Sequence, residues 1–362
     1  MLSVMFKKRN LIIGGIILFI FILIAVLPTA WIYLSGAKST TNKDLRFFYI
    51  KNPISLSTLA TQLEEQGLID NTAAFISVGS YKGLDSSSIA QGKYAIEPYT
   101  SYRTLLNGFT LNSNGNGNAE VAVDVTFNNC VDLKDLAEKV SACINIDKNK
   151  LETLLADPKT AEEFGFTAQQ FPAMFLPNTY EMYYDTDEDE FLNRMAKEFK
   201  NYWTDSRKSQ MKNIGLESPS QAVTLASIVY SEQSIVSEEW PIIAGLYLNR
   251  IHDGMRLQSD PTFKFCWGDK LKGVQRLLNI HREIDCEYNT YKIKGLPPGP
   301  ICLPSTAVVD AVLNRAKHGY VYMCAKADYS HRHNFAVSGE EHMRNAKVFQ
   351  RWLAGELKKK GK

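Results

Sequence analysis

The longest feature of the hydrophobic pattern is Leu11 to Leu34, LIIGGIILFIFILIAVLPTAWIYL, an uncharged apolar run. It is long enough for a membrane-spanning helix, which takes about 20 residues. Lys7, Lys8 and Arg9 precede it and predict a cytoplasmic N-terminus. A cleaved signal peptide is the rival reading, with Leu27-Pro28-Thr29-Ala30 as its small-residue site. The run, however, exceeds the ~7–15 residues of a signal core, so an anchor is expected. Either reading sends the following chain across the membrane. Pro28 is placed to kink the helix near its outer end, and the polar stretch 35–44 reads as a linker.

Two later segments share a shorter pattern. FFYIKNPISLSTLATQLEEQGLI predicts a strand, a turn and a helix beginning near Ser55, with Leu56, Leu59, Ala60 and Leu63 on its apolar face. TFNNCVDLKDLAEKVSACINI repeats the order, with Leu133, Leu136, Ala137 and Val140 at the same spacing, a weak internal repeat. Between them, the Asn/Gly run Asn112–Asn118 predicts a hairpin loop. In AEVAVDVTF, Val121, Val123, Val125 and Phe127 alternate as in a half-buried strand. The acidic stretch from Tyr184 to Glu190 lacks the glycine and terminal glutamate of a calcium loop. It reads as the N-terminus of an amphipathic helix over Glu190–Trp203. The lysines from Lys358 to Lys362 read as a solvated tail.

One helical stretch breaks its own pattern. In TLASIVYSEQS, Leu225, Ile228 and Val229 form an i, i+3, i+4 stripe, and the next position on that stripe is Glu232. Ser218, Pro219 and Gln221 supply an N-cap, a first-turn proline and an N3 glutamine. A helix of three to four turns from Pro219 therefore ends near Glu232. Burial and the negative end of the helix dipole would both raise its pKa, and a carboxyl protonated near neutral pH can serve as a general acid. An ion pair with Arg250 or Arg256, or fraying into solvent, explains the same residue without chemistry.

Composition adds limits. With 362 residues, 45% of them hydrophobic, the chain has material for roughly two domains. A net charge of +2 names no partner, and no basic stripe for nucleic acid is present. The six cysteines, Cys130, Cys143, Cys266, Cys286, Cys302 and Cys324, are sparse for a disulfide scaffold, and free thiols are as well supported as bridges. Cys324, His331 and His333 match no common zinc spacing; neither metal nor cofactor is expected.

Downstream motifs change the weight on Glu232. After LASIVYSEQS come LNRIHDG, MRLQSDPT, YNTYKIKGLPPGPICLP and YVYMCAKADYSHRHNF. In this order, over about residues 165–350, they resemble the endolytic murein transglycosylases of the YceG-like family. That family usually has two glutamates in the first block; here the first is Tyr230, leaving Glu232 alone, and Gln233 stands where a threonine is usual. The small strand–helix units resemble LysM modules, which grip N-acetyl sugars of the cell wall.

The resemblance implies an α+β fold: cytoplasmic tail 1–10, transmembrane helix 11–34, linker 35–44, LysM-like region 45–164 and a helix-rich catalytic domain 165–358. It implies cleavage of peptidoglycan between N-acetylmuramic acid and N-acetylglucosamine, leaving a 1,6-anhydro end, with Glu232 as acid and then base. Gln258, Tyr288, Asn289, Tyr291 and Asn334 are the expected substrate-binding residues. Asp260, before Pro261, is expected to cap a helix. The expected site is the outer face of the plasma (inner) membrane, in the periplasm, where wall synthases and transpeptidases are natural partners. Two alternatives stay open: a hydrolase with Asp260 activating water, and a non-catalytic glycan-binding scaffold.

Overall fold

The computed structural model describes residues 2–112, 114–128, 130–271, 274 and 278–359, with side chains described from residue 12 onward except Ala25. The side chains of Lys7, Lys8 and Arg9, Ser113 of the Asn/Gly run and the last three residues of the tail lie outside that description. The chain forms two compact units: residues 1–124 with 181–186, and residues 125–180 with 187–362.

In the first unit, α1 (Leu2–Ala37) contains the apolar run and continues through Pro28. From Ile12 to Ala37 it is long and apolar enough to cross a bilayer, and its large side chains, Ile16 and Phe19 among them, are exposed. β1 (Arg46–Ile50), α2 (Leu56–Glu65), α3 (Thr72–Tyr81) and β2 (Gly92–Ile96) follow, then α4 (Tyr102–Phe109). β1 and β2 pair antiparallel with Phe48 opposite Tyr94. Alternation sends Phe48, Ile50, Tyr94 and Ile96 into the core. Ser55 caps α2 by accepting from Thr58 N, and Leu56, Leu59, Ala60 and Leu63 are its buried residues.

Two expectations change here. The stretch read as a linker is built into the unit: Ser35, Thr40 and Asn42 are buried, and Asn42 Nδ2 donates to the Asp44 and Ile96 carbonyls. Local polarity gives no sign of these distant partners. The Asn/Gly run does close a short antiparallel loop, with Leu111 bridged to Gly117 and Asn118 N donating to the Thr110 carbonyl, but β3 (Val123–Phe127) pairs with β4 (Asn178–Met182) and not across that loop.

Between β3 and β4 lie α5 (Leu133–Ser141), α6 (Lys148–Ala156) and α7 (Pro158–Glu163). The order strand–helix–helix–strand thus recurs, with one additional short helix. Leu136, Ala137 and Val140 are buried on α5, whereas Leu133 is half-buried. α8 (Glu188–Tyr202) opens with a reciprocal capping box between Asp187 and Glu190, so the acidic stretch is a helix start.

The rest of the second unit is α9 (Asp205–Asn213), α10 (Pro219–Glu232), α11 (Trp240–His252), α12 (Asp260–Trp267), α13 (Thr306–Leu313), β5 (Tyr322–Ala325), β6 (His333–Ala336) and α14 (Gly339–Lys359). α10 is the centre of the core. Ala222, Val223, Leu225, Ala226, Ser227, Ile228 and Val229 are all fully buried, packed with Ile243 and Leu246 of α11 and Val308, Val309 and Val312 of α13. The predicted stripe is therefore one side of a helix enclosed on all sides. Ser218 Oγ accepts from Gln221 N, and Gln221 Oε1 accepts from Glu217 N, one residue before the expected partner.

Candidate active site

Because α10 is rigid and enclosed, its last residue is held firmly. Glu232 stands where the helix emerges from the core, beside a groove of about 600 Å³ also lined by Tyr247, Gln258, Asp260, Tyr291 and His333. The side chain keeps partial access to this groove, although protein surrounds the carboxyl closely. Tyr247 of α11 donates its hydroxyl to Glu232 Oε1 at 2.8 Å, and Ser259 Oγ donates to the same oxygen at 2.6 Å. Among the described residues, Oε2 accepts no hydrogen bond and the carboxyl has no ion pair. Arg250 is committed elsewhere: it donates to the carbonyls of Val321 and Leu257.

Burial raises the Glu232 pKa above the ordinary carboxylate value; the Ser259 and Tyr247 hydroxyls lower it in part, the charge of Asp260 raises it and His333 lowers it. Neutral donors stabilise the anion less than a cation would, so desolvation dominates. Tyr247 is fully enclosed, and burial first, then the neighbouring Glu232 charge, pushes its hydroxyl well above the usual phenol value. It therefore remains a donor.

The downstream motifs are tied to one another behind this carboxyl. Ser259 N donates to Thr290 Oγ1 at 2.9 Å, Thr262 and Thr290 hydroxyls lie 2.8 Å apart, and Gln258 N donates to the Thr290 carbonyl. Ser259, Thr262 and Thr290 are completely buried. This knot joins SDPT to YNTY and fixes the hydroxyl that meets Glu232. Gln258 adopts φ 51°, a costly conformation for a non-glycine residue, and projects an exposed side chain at the groove. Gly299 in the Pro-rich loop admits no side chain, since a Cβ there would lie 1.8 Å from the Gln169 carbonyl oxygen.

The expected substrate-binding residues separate. Gln258 and Tyr291 line the groove. Tyr288 lines a different cavity of about 530 Å³, where it packs on Phe265 with ring centroids 4.7 Å apart. Asn289 is fully buried and ties its own loop: Nδ2 donates to the Arg282 and Ile284 carbonyls, and Oδ1 accepts from Tyr291 N. Asn334 pairs with Cys324 across β5–β6 and is not among the residues lining the groove, whereas its neighbour His333 is. Asp260 is the first residue of α12 rather than its cap. Its Oδ1 accepts from Tyr291 OH at 2.5 Å, and Arg282 Nη2 lies 3.3 Å away. Cys266 and Cys286 form a disulfide that brackets the segment carrying Arg282; Cys130, Cys143, Cys302 and Cys324 are free thiols.

Residues outside the sequence-derived set complete the site. Glu239 is buried; its Oε1 accepts from His333 N at 2.9 Å, and its Oε2 lies 2.7 Å from His333 Nδ1. Gln233 Nε2 donates to Glu239 Oε2 at 3.0 Å and to the His331 carbonyl at 2.8 Å. Gln233 Oε1 accepts from Ile235 N and Val236 N. The residue that departs from the family pattern therefore holds the turn after α10 and the strand carrying His333.

Comparison with known proteins decides the family, since the YceG-like family matches residues 48–348. The chain belongs to the YceG-like family. It is 26% identical over 311 residues to the endolytic murein transglycosylase of Bacillus subtilis (strain 168), covering 81% of this chain and 80% of that protein. It is 24% identical over 317 residues to the endolytic murein transglycosylase of Streptococcus pneumoniae serotype 2 (strain D39), covering 80% of this chain and 56% of that longer protein. In fold it is similar to a crystal structure of a YceG-like protein from Listeria monocytogenes, with a TM-score of 0.54 and 22% identity over 84% of this chain and 99% of the other. The mixed helix-and-small-sheet architecture thus recurs in a YceG-like relative.

Proposed function

We propose that this chain is a membrane-anchored endolytic lytic transglycosylase of peptidoglycan. The observation that carries the reading is the environment of Glu232: one carboxyl at the end of a core helix, bonded through Oε1 to two neutral hydroxyls and turned toward a groove. The family relationship and the names of the Bacillus and Streptococcus relatives support the same chemistry.

In this mechanism the protonated carboxyl of Glu232 gives its proton to the oxygen between N-acetylmuramic acid and N-acetylglucosamine as the C1–O bond breaks. The resulting carboxylate takes the proton of the C6 hydroxyl on the same muramic acid. That oxygen bonds to C1 and closes the 1,6-anhydro ring, so one carboxyl acts in both steps and no water is consumed. Burial keeps the acid form available, and Tyr247 and Ser259 stabilise the anion between the steps. Gln258 and Tyr291 reach the groove and would bind sugar hydroxyls and acetamido groups. Asp260 is engaged by Arg282 and Tyr291, which disfavours it as a free base for water.

The strand–helix–helix–strand order of β1, α2, α3 and β2 supports a LysM-like, glycan-binding role in the first part of residues 45–164; the second copy closes only with β4, inside the region 165–358 read as catalytic. The first of these units carries a groove of about 610 Å³ beside β1 and α2, lined by Tyr49, Asn52, Thr58 and Gln62, groups suited to sugar hydroxyls. A single-pass helix with Lys7, Lys8 and Arg9 on the cytoplasmic side would place the enzyme outside the membrane. Nascent strands and the wall synthases and transpeptidases are assembled there. Mass spectrometry of digested cell wall tests the reading. Anhydro ends made by the native chain and lost in Glu232→Gln are expected; reducing ends carrying oxygen from labelled water would replace it with hydrolysis.

A further inference from the structure

The groove does not end at Glu232. A second hollow of about 340 Å³ opens past the end of α10. It shares Glu232, Ala325 and His333 with the larger groove, so the carboxyl stands on the boundary between them. The outer wall is aromatic. Tyr329, in the turn between β5 and β6, meets Trp352 of α14 edge-on at 5.2 Å, and Phe349 backs Trp352 at 5.8 Å.

This wall has no role in a core. None of the residues of α14 is buried, and Tyr329 is 66% exposed. Its position is nevertheless fixed. Tyr329 OH donates to Glu356 on α14, Asp328 Oδ1 accepts from Ser330 N and Oγ, and Gln233 Nε2 holds the His331 carbonyl. The side chain next to Glu232 in sequence therefore positions the turn that carries the aromatic face. Lys326 lines the same hollow and supplies a donor.

We propose that this hollow is a saccharide subsite, in which one N-acetylhexosamine ring lies against Tyr329 and Trp352 while its neighbouring glycosidic bond lies at Glu232. The inference rests on the reading of Glu232 given above. A polymer cut within its length must occupy both sides of the reacting bond, and Glu232 separates two hollows. A pyranose presents an apolar C–H face that suits an aromatic ring, with hydroxyls at its edge for the tyrosine and lysine tips. The volume lies at the lower end of the range for small-molecule sites, which suits one ring rather than several.

Binding separates this proposal from the cleavage mechanism. The full chain in detergent, carrying Glu232→Gln to prevent turnover, is titrated calorimetrically with uncrosslinked glycan strands. It is compared with the same protein also carrying Trp352→Ala or Tyr329→Ala. Each second substitution is expected to weaken binding about ten-fold, the scale of one well-packed aromatic anchor, and Trp352→Phe to restore most of the loss. The exposed Tyr329 provides a variant whose folding is not at issue. Unchanged affinity in both alanine variants, with strands bound by the parent and cut by the native chain, overturns the subsite alone. A parent that does not bind strands, together with a native chain that does not cut them, overturns the functional reading beneath it.

Discussion

Two glutamates flank the turn after α10, and they are treated differently. Glu239, at the start of α11, is buried and compensated at both oxygens by His333 and Gln233. Glu232 is met only at Oε1, and only by neutral hydroxyls. Burial alone therefore does not mark a reactive carboxyl. A group that receives two backbone or ring N–H donors is fixed as a structural acceptor, whereas one left partly unsatisfied beside a cavity can exchange a proton with a ligand.

The largest expected effect separates the two residues by function. Glu232→Gln preserves an acceptor for Tyr247 and Ser259 while removing the transferable proton. Turnover of glycan strands should fall at least about 10²-fold, the lower range for a positioned proton donor, with the fold intact by circular dichroism. Retained turnover would end the distinction. Glu239→Ala should do the reverse in kind: it leaves His333 N and its ring without their acceptor, and Gln233 Nε2 with the His331 carbonyl alone. A loss of about 3 kcal/mol is expected for breaking such a buried pair, read as a lower denaturant midpoint. Little change in that midpoint would show that Glu239 is not the anchor of β6.

Gln233 lies between them and makes a finer test. Replacing it with threonine, the residue usual in the family at this position, removes the donor to Glu239 and to the His331 carbonyl. A destabilisation of about 1–2 kcal/mol is expected for these lost buried bonds. Turnover should drop through weaker strand binding, because the turn bearing Tyr329 loses its tie. A rise in KM with unchanged kcat is the signature; a fall in kcat alone would assign Gln233 to Glu232 rather than to the turn.

How much of this was readable beforehand follows from the range of each interaction. The starts of α2, α8 and α10 are visible in sequence because Ser55, Asp187 and Ser218 cap within three residues. Glu232 is visible because it interrupts an apolar stripe and stands in a motif. Tyr247 and Ser259 are not, since they reach it from 15 and 27 residues away and nothing local distinguishes them from core and loop residues. In YNTY the composition suggests a binding loop, but a turn has no periodicity to tell that Asn289 points inward and Tyr291 outward. Asn334 and His333 differ by one step in a strand, and a one-residue change of register exchanges the faces. Ser35 to Asn42 look like a linker because their partners, the Thr100 and Ile96 carbonyls among them, lie far along the chain.

The smallest effect tests the hydroxyls that distinguish Glu232 from Glu239. Ser259 and Tyr247 favour its anion, so Ser259→Ala or Tyr247→Phe should raise its pKa further. In the proposed mechanism Glu232 acts first as an acid and needs the protonated form, so the alkaline limb of kcat/KM should move to higher pH in both variants. Asp260→Asn removes a charge that raises the Glu232 pKa and should move the limb the other way. Stability carries the same sign. The folded protein holds this proton more tightly than the unfolded chain, so the carboxyl's contribution is complete below the ordinary carboxylate pKa and is lost as pH rises through the folded value. Glu232→Gln has no such dependence, and its stability advantage over the native chain should widen with pH across that interval. Parallel stability–pH curves for the two proteins would mean that folding does not tighten the hold of Glu232 on its proton, and would remove the physical basis for assigning it the proton.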